Sequence, residues 1–254
     1  MLNAAALIDL PSFFLVIVPA LIAPLILYAR LQPAMTLASG LCLPIGCIGA
    51  QIGVIQIIMN LTDSSLLPFA MVICVLTMLY AALLYFFLSA VYSQEVTLTE
   101  APSGGRRLVA IAVCLGPFIW GALAGGSAGD FWNPVALTAL VGGFTLCSAI
   151  SKWRTRRFEI FWIVKKTLVL SALGSTAGLL MAISDYDNPG NMGPALAFAI
   201  FLSSYATVLY VLAKFFPDDW GAVTNFRNEF GWSEFMLVGF ISTIAPVLII
   251  GLVL

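Results

Sequence analysis

Residues 173–205 open with Leu173-Gly-Ser-Thr-Ala-Gly-Leu179, pass through the polar turn Ser184-Asp-Tyr-Asp-Asn-Pro-Gly-Asn-Met-Gly-Pro-Ala195, and close with Phe201-Leu-Ser-Ser-Tyr205. An apolar helix with two glycines four apart is thus followed by an acidic turn, a proline and a second apolar helix bearing hydroxyls nine residues beyond Pro194. The same order stands earlier in the chain, where Ile48-Gly-Ala-Gln-Ile-Gly-Val-Ile-Gln56 leads through Asn60-Leu-Thr-Asp-Ser-Ser65 and Pro68 to Thr77. Gly49 and Gly53 fall on Gly174 and Gly178 at a shift of 125 residues. One further residue of slip aligns Pro68 with Pro194, Thr77 with Ser203, and Met78 with Ser204. The segments ahead of each pair correspond more loosely, Asp9-Leu-Pro-Ser12 with Asp130-Phe-Trp-Asn-Pro134. Close helix packing alone accounts for each glycine pair, because small residues let two backbones approach in a membrane. It does not account for the recurrence of the whole order, which predicts an internal repeat.

The composition sets the solvent. Of 254 residues, 61% are hydrophobic and 9% charged, against roughly 25% charged in a soluble domain, so the chain cannot clothe a water-exposed globule. Apolar runs near 10–29, 37–59, 66–92, 108–127, 131–150, 167–184, 192–213 and 235–254 each approach the ~20 residues that cross a bilayer core about 30 Å thick. An all-α integral membrane protein of about eight spans is expected. A repeat offset of four helices keeps both copies in one orientation, so the expected arrangement is two parallel four-helix repeats. The division runs 1–106 for the weaker first copy and 107–254 for the better-matching second. No histidine is present to act as a base or a metal ligand, and the net charge of −1 gives no basic face for nucleic acid. Neither a catalytic residue, nor a cofactor, nor a metal site is expected. Cys42, Cys47, Cys74, Cys114 and Cys147 lie inside apolar runs with no CxxC pair and read as reduced packing residues.

Orientation follows from lysine and arginine, which are retained on the cytoplasmic side. Arg30, Arg106, Arg107, Lys152, Arg154, Arg156, Arg157, Lys165, Lys166, Lys214 and Arg227 all fall in alternate loops. The opposite ends carry only acids, Asp9, Asp63, Asp130, Asp185 and Asp187, expected at an outer mouth where they raise local cation concentration or serve as plain solvated turns. Both termini are expected outside the cytoplasm, with no removable signal peptide. The stretch from Lys152 to Lys166 mixes cations with aromatics and suits anionic lipid headgroups or a simple topology anchor. The stretch from Pro217 to Glu234, with Trp220, Phe226, Phe230 and Trp232, reads as a helix in the interface or a protein-docking surface.

The segments quoted at the outset resemble the third and fourth membrane helices of the MotA/TolQ/ExbB proton-channel family, and Ile8-Asp-Leu-Pro-Ser12 resembles the start of its second helix in the flagellar branch. The likeness covers about half the chain. It implies an ion-motive, energy-transducing inner-membrane subunit of a bacterial cell, multi-pass with both termini periplasmic. It also implies a larger hetero-oligomeric complex with a single-transmembrane-helix, MotB/TolR/ExbD-like partner bearing the titrating Asp. Carried over by position, the ion-path hydroxyls are Ser175 with its neighbour Thr176, then Ser203 and Ser204, with Thr77 alone surviving in the first copy. The helix-packing glycines are Gly49, Gly53, Gly174 and Gly178. Met78 and Ala50 replace the other first-copy hydroxyls, so the first copy reads as structural and the second as conducting. The large cytoplasmic domain of flagellar members is missing from the corresponding loops. Two other classes stay open: an accessory membrane subunit that kept the fold without conducting, and a small-solute secondary transporter.

Overall fold

The computed structural model describes residues 9–59, 67–92, 96–97, 102–125, 132–155, 160–184, 189–216, 223–224, 238–239 and 245–246. The first span is α1 (Leu10–Ile17), a π turn (Val18–Ile22) and α2 (Ala23–Tyr28). There follow α3 (Leu31–Met59), α4 (Leu67–Val91), α5 (Gly104–Gly125), α6 (Pro134–Thr155), α7 (Ile160–Ser184) and α8 (Pro189–Ala213). Asp9 caps α1: its carboxylate Oδ2 accepts the Ser12 N–H at 2.8 Å, satisfying one of the donors that a helix start leaves open. Pro19 and Pro24 each lack a backbone donor, and the helix widens to the π turn between them. Ala29, at φ 52°, closes α2 in the left-handed region, with its N–H on the Leu25 carbonyl at 2.9 Å. The chain therefore reverses into α3 across only Ala29 and Arg30.

Six helices among the described residues are long and apolar enough to cross a membrane: Leu10–Tyr28, Leu31–Ile58, Ala70–Val91, Pro134–Trp153, Ile160–Ser184 and Met192–Ala213. They match six of the eight expected spans. The expected fourth span also forms a helix, α5, which opens on Gly104-Gly-Arg-Arg107. The eighth lies outside the described residues, except for Val238, Gly239, Ala245 and Pro246. A short antiparallel ladder pairs β1 (Val96–Thr97) with β2 (Val223–Thr224). These two β2 residues are the described part of the 217–234 stretch, and they are extended rather than helical.

The core is built on α3. In its most apolar stretch 94% of the residues are buried, against 22% for α6, because α3 is surrounded by the first span, α4, α5 and α8. Leu37, Leu41, Ile45 and Ala50 lie fully within this core. The faces turned away from it, with Val75 64%, Phe86 64%, Leu173 60% and Leu180 66% exposed, are apolar as a lipid-facing surface must be. α5 packs against the first span and α3: Gly121 faces Leu15 and Ile52, and its carbonyl accepts the Gln56 Nε2–H at 3.1 Å. α5, which the sequence division places at the start of the second copy, thus packs on the first span and α3. Gly239 lies against Met78 and Cys47, and Ala245 against a cluster drawn from α3, α4, α7 and α8.

Candidate functional site

Two helix pairs carry the residues in question, and each is seated by glycine. In the first pair, a Cβ on Gly49 would meet the Thr77 side chain at 2.9 Å, and one on Gly53 the Cys74 backbone at 2.8 Å. In the second, a Cβ on Gly174 would meet Leu202 at 2.7 Å, and one on Gly178 would meet Phe198 at 3.0 Å and the Ala195 carbonyl at 3.1 Å. The four glycines thus face the partner helix within their own pair, α4 or α8, as close backbone approach requires.

The hydroxyls divide by face. Thr77 is fully buried and donates to the Ile73 carbonyl at 2.7 Å. Ser175, also fully buried, shares its proton between the Ser171 carbonyl of its own helix at 2.9 Å and the Ala199 carbonyl of α8 at 2.7 Å. Ser203, 2% exposed, accepts the Gln51 Nε2–H at 3.1 Å, a bond that joins α3 of the first half to α8 of the second. Ser204 follows at about 100° around the helix, is half-buried, and donates to Ile200. Thr176 turns to the outer side of α7 and donates to Leu173. Ser175, Ser203 and Thr77 therefore belong to the interior seam between helices, and Thr176 and Ser204 do not share it.

The two halves repeat one further arrangement. The Asp9 backbone N–H donates to the Tyr80 phenol at 3.2 Å, and the Asn133 N–H to the Tyr205 phenol at 2.9 Å. Each of these residues caps the helix behind it, Asp9 through Ser12 N–H and Asn133 through Ala136 N–H at 3.0 Å. The structure thus matches Asp9 with Asn133, where the sequence comparison started its match from Asp130. Tyr80 lies ten residues beyond Ala70 in the apolar span Ala70–Val91, so the N-terminal end of α1 stands beside the middle of α4. Asp63, Asp130, Asp185 and Asp187 lie outside the described residues.

Sequence reasoning passed over Gln51 and Gln56, both buried in α3 and both bridging to another helix, as well as Tyr80, Tyr205 and Ser12. The signal was present: an amide inside an apolar run has to find a partner, since burying it without one is costly. At the basic end, the Lys214 ammonium, 5% exposed, lies 4.4 Å from the Phe161 ring centre, and the Arg107 guanidinium 5.1 Å from that of Phe216. These contacts gather the ends of α5, α7 and α8 at one side of the bundle. Lys152 and Trp153 are exposed there, Trp153 by 87%, whereas 156–159 lie outside the described residues. The five cysteines are buried and unpaired. No family model, curated protein or solved structure matches the chain.

Proposed function

We propose that this chain is a multi-pass subunit of an ion-motive complex in a bacterial inner membrane, with both termini periplasmic. It is built as two like-oriented modules and works beside a single-helix, MotB/TolR/ExbD-like partner that carries a functional Asp. The observation that carries this reading is the repeated unit: an Asn- or Asp-capped helix tied to a mid-helix tyrosine, beside a glycine-seated helix pair with a buried hydroxyl. Hydroxyls and amides suit such a seam, because they supply oxygen along an ion path at lower desolvation cost than a buried charge. Lipid contacts fall to the exposed apolar faces and to Lys152 and Trp153 at the basic end.

The accessory reading has one observation in its favour: Ser175 and Thr77 both spend their protons on backbone carbonyls. Ion flux into vesicles holding the chain with its partner separates the two. Flux should fall at least about tenfold, the scale of one lost hydrogen bond to a charged group, in the Ser203→Ala plus Ser204→Ala double variant, and hold in Ser184→Ala. Unchanged flux in the double variant refutes conduction along α8. Flux no greater than that of empty vesicles in the unaltered pair assigns the chain to the accessory class.

A further inference from the structure

We infer that the groove between α6 and α7 receives α5 of a second copy of this chain, so that copies join head to tail through a shared helix. The first half shows how such a groove is filled. Leu15 of α1, with Ile52 and Gln56 of α3, forms a floor on which α5 lies. A Cβ on Gly121 would meet the Leu15 side chain at 3.2 Å and that of Ile52 at 3.9 Å, and the Gly121 carbonyl accepts the Gln56 amide proton. All three floor residues are buried.

The register of the two halves carries these positions forward. The capping bonds that match Asp9 with Asn133 and Ser12 with Ala136 put Ala139 where Leu15 stands. The glycine pairs put Ala177 and Met181 where Ile52 and Gln56 stand. Gly143 of α6 lies against Leu170 and Thr167 of α7, so these two helices are also packed together. Yet Ala139, Ala177 and Met181 are all exposed, Met181 by 61%. The seat that α5 covers in the first half stands open in the second.

The floor has also changed size. Leucine and isoleucine beneath a glycine become two alanines, so a helix that fits there brings bulk where α5 brings Gly121. Small residues at exposed positions let a second helix approach closely, whereas the lipid-facing side of α4 presents Val75, Phe86 and Phe87. α5 carries the required bulk on the side turned away from its own half. Ile119, Trp120 and Leu123 are each more than half exposed and lie within two residues of Gly121, about 3 Å along the helix. Parallel repeats related by an axis along the membrane normal hold equivalent residues at one height. These side chains therefore stand level with the alanine floor of a neighbouring copy, and α5 runs in the direction that such a seat accepts in the first half. The inference rests on the proposed reading of two like-oriented modules. Because the two surfaces differ, the contact continues from copy to copy and closes a ring or extends an array.

The test is disulfide crosslinking in membrane vesicles between two differently tagged copies of the full chain, one with Ala177→Cys and the other with Ile119→Cys. Oxidation should give a mixed dimer, whereas either copy alone, with only the five buried native cysteines beside its own, should give none. The dimer should be lost when Val75→Cys, on the exposed side of α4, replaces Ile119→Cys. It should also be lost when Ala139→Trp fills the groove of the first copy, with helicity showing that the chain still folds. Ala139→Leu, which installs the residue used in the first half, should lower the yield if the tryptophan variant does not fold. No mixed dimer, an equal yield with Val75→Cys, a yield unaltered by the Ala139 variants, or a crosslink from Ala177→Cys to a different protein overturns the proposal. Orientation is read separately: Arg30→Cys and Lys152→Cys, near equivalent ends of the first span and α6, should take an impermeant thiol label from one side of the vesicle. Labels from opposite sides overturn the like-oriented reading, and labels from one side with no mixed dimer overturn the docking of α5 alone.

Discussion

Substituting Gly53 by alanine tests how the first helix pair is held. The added carbon would lie 2.8 Å from the Cys74 nitrogen and 2.9 Å from both the Ala70 oxygen and the Cys74 α-carbon. All three are backbone atoms, so no side chain can swing away. Carbon contacts are comfortable near 3.5–4.0 Å, so α4 must retreat by about 0.7 Å or more, and a gap of that size forfeits a quarter to a half of each neighbouring dispersion contact. Overpacking of this kind costs about 1–3 kcal/mol, and the contact with rigid atoms puts Gly53→Ala in the upper half of that range. The better helix propensity of alanine returns about 0.8–1.0 kcal/mol. The net loss is about 1–2 kcal/mol. Gly116 in α5 and Gly142 in α6 have nothing within 4 Å of an added carbon, so Gly116→Ala and Gly142→Ala should gain about 0.5–1 kcal/mol. Gly174→Ala meets only the Leu202 Cδ2 atom, a movable tip, and should fall between. Unfolding in mixed micelles titrated with dodecyl sulfate, followed by helicity, gives the order directly. If Gly53→Ala unfolds at the same detergent fraction as Gly116→Ala or a higher one, the glycine-seated α3–α4 contact is wrong.

Three further outcomes are expected. A double-mutant cycle of Gln51→Ala and Ser203→Ala should return a coupling of about 0.5–1.5 kcal/mol, the usual worth of a polar contact between membrane helices, and a coupling of zero removes the bond joining the two halves. Tyr80→Phe and Tyr205→Phe should each cost about 0.5–1.5 kcal/mol and speed amide exchange at Asp9 and Asn133 respectively, so a response at only one of them contradicts the repeated arrangement. Ser175→Ala should destabilise by about 1 kcal/mol through loss of its bond to the α8 carbonyl, whereas Thr176→Ala, bonded within its own helix on an outer face, should leave the unfolding midpoint nearly unmoved.

The spanning helices among the described residues were legible in the sequence because an apolar run of about 20 residues has few alternatives. Six of the runs became helices meeting that criterion. The glycines were legible too: each of the four faces the partner helix in its pair, since a missing side chain matters only where another backbone comes close. The faces of the hydroxyls were harder to read. Ser203 and Ser204 look equivalent as a pair of letters, but a step of about 100° separates them, and only the position of α3 decides that Ser203 is the one held by Gln51. Asp9 illustrates a second limit. Charge counting treats it as the end of a span, and it is one, but α1 starts beside the middle of α4 rather than level with its end. Relative heights of neighbouring helices are set by tertiary contacts, which leave no mark on hydropathy. The match of Asp9 to Asn133 was obscured for a related reason: the acid was the eye-catching letter, whereas the cap and the tyrosine bond are what the two halves have in common.

The burial of α3 bears on how the chain is made. Gln51 and Gln56 are among its innermost side chains, and their partners, Ser203 and the Gly121 carbonyl, lie 152 and 65 residues further on. At about 5–20 residues per second of synthesis, roughly 8–30 s separate the addition of Gln51 from that of its serine. During that interval α3 has no lipid-compatible surface around those amides. It should therefore linger beside the insertion machinery instead of parting into the bilayer alone, and the ribosome-bound nascent chain should crosslink there through α3 until α8 has been translated.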